Sequence, residues 1–213
     1  MDSLAALLPP LLQGLGVTLQ ITFGATCLAI PLALAAGLGR LSRHAVARWP
    51  ATAYVEVFRG TSALVQLFWF YFVLPLFGLQ LPAMLVAILV LALNAGAYGA
   101  EVVRGAVRAV AAGQREAALA LNMTPAQTMR RIVLPQAVPA MLPPAGNLLI
   151  ELLKNTALVS LITIADMTFR GQLLRSETLR TTEIFGLMLA LYFAVALLIT
   201  AGVRWLERRV RPK

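Results

Sequence analysis

Three acid–base pairs recur at a spacing of three residues: Glu56 with Arg59, Glu101 with Arg104, and Glu151 with Lys154. On a helix this spacing puts both partners on one face. Such a pair can neutralise itself, or it can receive the two charged ends of a zwitterion. Glu56–Arg59 and Glu101–Arg104 lie near the ends of apolar runs, where structural ion pairs or snorkelling arginines are expected. Glu151–Lys154 lies near the middle of such a run, with Asn147, Asn155 and Thr156 beside it. Positions 147, 151, 154 and 155 share one helical face. Charges at membrane depth face a bundle interior or a cavity. This stripe therefore either packs on another helix as a neutral pair or lines a passage. Gln66, Asn94 and Tyr98 are further pathway candidates, each equally able to make an interhelical hydrogen bond.

No catalytic set accompanies these residues. The chain has no GxSxG, no HExxH and no GxxxxGK phosphate loop, so an enzyme is not expected and any ATP must be held by another chain. Cys27 is the only cysteine and His44 the only histidine. Neither forms a disulfide or a metal site alone, and no metal is expected. The formal charge of +9 comes with no nucleic-acid signature.

The elements that carry these residues are membrane helices. Of 213 residues, 60% are hydrophobic, against roughly 45–50% in a soluble domain. Apolar runs of about 20 residues recur, each long enough to cross a bilayer. Without strict alternation they exclude a barrel. The expectation is an all-α, multi-pass transmembrane protein, a single domain over 1–213. Its five helices are placed at 15–38, 53–77, 82–103, 138–164 and 184–203, with Pro31 kinking the first. The N-terminal "MDSLAALLPPLLQG" has no basic region and no clear cleavage site, so the first span is expected to stay as an anchor.

Basic residues orient the bundle. Arg40, Arg43 and Arg48 follow the first span, and Arg108, Arg115, Arg130 and Arg131 follow the third. The tail adds Arg204, Arg208, Arg209, Arg211 and Lys213. These segments alternate correctly for one side, so the C-terminus is expected in the cytoplasm and the N-terminus outside. Anionic lipid of the inner leaflet would attract this charge.

The loop 104–137 is then cytoplasmic. Its segment 114–121 is rich in helix formers. Asn122 suits a left-handed helix end. Thr124-Pro125 is a good cap followed by a good first residue. The chemistry predicts two short helices bent at Asn122-Met123, with Leu134-Pro135 ending the second and turning the chain toward the membrane. Such a loop either docks another protein through its small residues or lies on the inner leaflet.

Glu116-Ala117-Ala118, Asn122, Ile132, Leu134 and Pro135 resemble the EAA loop of ABC importer permeases. Only Asn122 departs, standing where that family usually has Gly. "EVFRGTSALVQLFWFYFVLP" and "AYGAEVVRGAVRAVAAGQREAA" look like the polar amino-acid branch. The stretch 146–167, with "RSETLRTTEIF" after it, looks most like permeases for ectoine and hydroxyectoine. The resemblance implies a type I ABC importer permease fold in the bacterial inner membrane. It implies that Glu116, Ala117, Ala118, Asn122, Ile132, Leu134 and Pro135 couple to the ATPase. It also implies two ATPase subunits that hold ATP and Mg, a second permease (a similar chain or a second copy) and an external solute-binding protein. The implied cargo is ectoine, hydroxyectoine or a polar amino acid. Residues 166–182 would lie where the binding protein docks, or form a plain solvated loop. The competing expectation is a secondary transporter or channel for small polar solutes.

Overall fold

The computed structural model describes residues 4–210. Arg211 and Lys213 of the basic tail, and the first three residues of the N-terminal segment, lie outside the described residues. Among the described residues the regular structure is entirely helical.

Helix α1 (Leu4–Gly39) is continuous through Pro9, Pro10 and Pro31. Lipid offers the backbone no other partner, so a membrane helix persists past a proline. Thr22 and Thr26 return their hydroxyls to carbonyls four residues back. Helix α4 (Ala83–Ala109) is the centre of the bundle and packs mainly on α1. Gly37 permits that approach. A Cβ there would stand 2.8 Å from the carbonyl oxygen of Ala100.

The expected second span at 53–77 is not one helix. Helix α2 (Ala45–Gly60) and α3 (Ala63–Phe68) meet at a bend of 104°. Gly60, Thr61 and Ser62 explain the break. Gly weakens a helix interior, and Ser62 takes extended backbone as the N-cap of α3. A π-turn (Trp69–Val73) and a 3-10 turn (Leu74–Phe77) continue α3.

After α4, α5 (Ala112–Ala120) and α6 (Pro125–Thr128) form the bent pair. The chain does not turn at Leu134-Pro135. It runs through a π-turn (Met129–Val133) straight into α7 (Leu134–Asn155). The Leu134 N–H reaches the Met129 carbonyl, five residues back. This wider turn takes up the missing N–H of Pro135 without ending the helix. A 3-10 turn (Thr156–Ile162) closes this span. Helices α8 (Met167–Thr178) and α9 (Thr181–Val210) complete the chain.

Four helices are long and apolar enough to cross a membrane, or five if the bent α2–α3 pair counts as one span. The start of α1 meets the starts of α8 and α9 through Leu7, Leu11, Met167 and Ile184. The opposite end gathers Val103, Val107, Val133 and Ala137 beside the arginines after α1 and α4. We call it the basic end.

Candidate functional site

The bend between α2 and α3 leaves carbonyls without helical partners, and side chains take their place. Gln66 Nε2 donates to the carbonyls of Phe58 at 3.0 Å and Thr61 at 3.3 Å. Asn94 Nδ2, on α4, donates to the same Phe58 carbonyl at 3.1 Å. The Thr61 hydroxyl closes on Val57 O at 2.8 Å. Gln66 and Asn94 are both buried. Both side chains are bonded into this junction.

The charged groups re-pair relative to the sequence expectation. Glu101 and Arg104 do meet, with Arg104 Nε donating to Glu101 Oε2 at 3.1 Å. Glu56 pairs with Arg40 at 2.9 Å instead of with Arg59. Arg59 reaches Glu101 at 3.9 Å and stands 5.3 Å over the Tyr98 ring. Arg40 also binds Glu101 directly. Three arginines thus converge on Glu101 and tie the end of α1 to α2 and α4. Glu56 meets Arg40 because α2 packs back on the end of α1. Arg40 was legible in sequence only as topological charge.

Glu151 and Lys154 make no ion pair with each other. Both are exposed on α7, as is Asn147, while Asn155 is half-buried. Glu151, Asn155, Asn94 and Tyr98 line one small recess between α4 and α7, floored by Leu91 and Leu152. The structure thus brings four of the seven pathway candidates together. Lys154 and Asn147 lie outside that recess, and Gln66 is bonded to Asn94 from below.

In the loop, Asn122 has φ 56°, the left-handed conformation. Met123 N–H bonds to Ala118 O and Asn122 N–H to Leu119 O, which is a Schellman end. Thr124 and Gln127 then cap α6 reciprocally. Glu116, Ala117, Ala120 and Asn122 are exposed, but Ala118 is fully buried against its own chain. Ala118 therefore offers no surface to a partner. Ile132 and Leu134 are half-buried and Pro135 is exposed.

Sequence reasoning passed over Asp166. It is fully buried, and its Oδ1 caps α8 by accepting from Phe169 N at 2.9 Å. Its signal was present, since an Asp directly before a helix is a common cap. Burial raises its carboxyl above the usual range, opposed by hydrogen bonds from Phe169 and Thr168.

Comparison with known proteins fits this arrangement. Residues 29–212 match the family described as binding-protein-dependent transport system inner membrane component. The chain is 44% identical to a probable amino-acid ABC transporter permease of Sinorhizobium fredii, over 95% of this chain and 88% of the relative. It is 35% identical to the glutamine transport system permease protein of Escherichia coli strain K12, over 96% and 94%. A crystal structure of an amino acid ABC transporter with histidines superposes at a TM-score of 0.88. That structure shares 38% identity and covers 94% of each chain. This sets aside a secondary transporter or channel. The chain belongs to the inner-membrane components of binding-protein-dependent transport systems, as a multi-pass permease subunit of the amino-acid ABC transporter type, whose ATPase is a separate chain.

Proposed function

We propose that this permease carries a small zwitterion inward, with the basic end in the cytoplasm and the passage along the exposed face of α7. The observation that carries this reading is the unpaired, exposed state of Glu151 and Lys154 on a membrane-crossing helix. Lipid would make such charges costly, so they face a water-filled path. One chain lacks the helices to enclose that path. A second permease, either another copy or a similar chain, supplies the opposite wall. Glu151 then meets the cationic end of the cargo and Lys154 the carboxylate.

An external binding protein delivers the cargo, and two ATPase subunits drive the cycle with the ATP and Mg they bind. They engage the outward face of α5, where Glu116 and Ala120 sit four residues apart. Ala117 and the Asn122 turn flank that face. The names of the relatives favour an amino acid as cargo. The likeness of 146–167 to ectoine permeases makes ectoine and hydroxyectoine the narrower candidates. Binding-protein-dependent uptake of labelled ectoine, glutamine, arginine and histidine by the reconstituted complex decides between them. Uptake of ectoine alone supports the narrow reading, and uptake of amino acids alone overturns it. Uptake that needs neither ATP nor the binding protein overturns the whole reading.

A further inference from the structure

A second cavity lies at the basic end, behind the α5–α6 pair, with a volume of about 630 Å³. That is within the size of small-ligand sites, roughly 300–1,000 Å³. Its walls are apolar: Leu41, Val107, Leu119, Met129 and Val133 among them. Its polar rim carries Arg43, His44 and Arg115, and no carboxylate lines it. Arg43 and His44 are exposed, and their side chains form no ion pair. Arg115 is anchored, because its Nη2 donates to the Val107 carbonyl in the last turn of α4. The remaining guanidinium donors stay available.

This cavity is distinct from the outward face of α5. Arg115 and Leu119, four residues apart on one helix face, line the cavity, whereas Glu116 and Ala120 do not. It also lies where apolar helices end. Leu41 stands two residues beyond α1, and Val107 is two residues before the end of α4. Headgroups of a bilayer meet a membrane helix at that level. An apolar wall under a cationic rim suits an amphipathic anion. A free inorganic anion would leave the apolar wall unused.

We propose that the cavity holds the headgroup and first acyl carbons of one anionic phospholipid, with the phosphate on Arg43 and Arg115. The lipid would brace the back of the helix pair from the membrane side. The site is independent of the cargo path, so its test does not depend on which solute is carried.

The experiment titrates phosphatidylglycerol onto the purified importer complex and counts bound lipid by native mass spectrometry. Phosphatidylcholine and soluble glycerol 3-phosphate are titrated in parallel. We expect one tightly retained phosphatidylglycerol per permease chain. A double Arg43→Gln, His44→Gln variant should hold it at least about fivefold more weakly, since one arginine at a membrane surface contributes about a fivefold preference. Leu119→Glu, a change at a residue 73% exposed, should weaken it as well and guards against misfolding of the first variant. Arg208→Gln with Arg209→Gln, equally basic but outside the cavity, should retain it. Equal retention by all variants overturns the proposal. So does equal binding of phosphatidylcholine, or displacement of the lipid by glycerol 3-phosphate at matching concentration.

Discussion

The carboxamides of Gln66 and Asn94 meet over the open end of α2. Asn94 Nδ2 donates to Gln66 Oε1 at 3.3 Å, and both side chains also donate to Phe58 O. A broken helix survives in a membrane only if its freed carbonyls find such partners. Gln66→Leu and Asn94→Leu should therefore each lower stability by about 1–3 kcal/mol, the cost of a buried polar group left unpaired. Thermal unfolding in detergent reads this. Uptake by the Gln66→Leu protein that folds should keep its substrate preference. Unchanged stability with altered selectivity would assign both residues to the pathway instead.

The arginines around Glu101 lead to a second contrast. The Glu101 side chain is 19% exposed and touches Arg40, Arg59 and Arg104, whereas Glu56 is 62% exposed and touches Arg40 alone. Glu101→Gln leaves three guanidinium groups facing one another and should cost on the order of 3 kcal/mol. Glu56→Gln should cost about 0–1 kcal/mol, as exposed ion pairs do. Equal losses in chemical unfolding would show that the hub is not centred on Glu101.

These two cases mark how far the sequence could be read. The all-α membrane class followed from composition, and the turn at Asn122 and the cap at Thr124 followed from local residue chemistry. The break at Gly60–Ser62 did not, because both halves are apolar and together read as one span. Its cue was three poor helix formers in a row, backed by a Gln and an Asn able to close the ends. Leu134-Pro135 misled in the other direction. A proline usually stops a helix, yet a single π-turn absorbed it. Partner choice among Glu56, Arg59, Arg40 and Glu101 depends on how three helices cross, which spacing along one helix does not encode.

The α5–α6 loop separates two neighbours of one residue type. Ala118 is fully buried and Ala117 is exposed. Ala118→Leu should disrupt the packing of α5 on its own chain and reduce folded yield. Ala117→Leu should fold normally and lose the ATPase on copurification. Asn122→Gly should keep both properties, while Asn122→Val should cost about 1–2 kcal/mol, because a β-branched residue resists the left-handed turn. Normal ATPase recovery with Ala117→Leu would remove Ala117 from the docking face.

Asp166 predicts a pH dependence. Burial raises its folded carboxyl above the usual 3.8, so the folded chain binds this proton more readily than the unfolded chain. The resulting stabilisation is full below the usual Asp range and is lost as pH rises through the raised value. Oδ2 has no hydrogen-bond partner, so the charged form gains little there. Asp166→Asn keeps an acceptor for the Phe169 N–H and carries no charge. Its melting temperature should exceed that of the parent protein near neutral pH, and the gap should narrow toward about pH 4. A gap that does not change with pH would refute the assignment. Asp166→Ala should lose about 1 kcal/mol through the missing cap.

Glu151 provides the test of the passage itself. It is exposed, unpaired, and shares a recess with Asn94, Tyr98 and Asn155. A residue in that position contributes little to the fold of its own chain, so Glu151→Gln should leave thermal stability and ATPase copurification unchanged. What it removes is the carboxylate that would meet an ammonium group. A hydrogen bond to a charged group contributes about 1.5–3 kcal/mol, so transport affinity should fall by roughly tenfold or more. Lys154→Gln should act on the carboxylate end and weaken the same cargo. The two losses should be smaller in combination than their product, because a cargo that has lost one charge contact is held less firmly against the other. If Glu151→Gln instead lowers stability while transport affinity stays at the parent value, the carboxylate belongs to a contact with the second permease, and the cargo path lies elsewhere on the bundle.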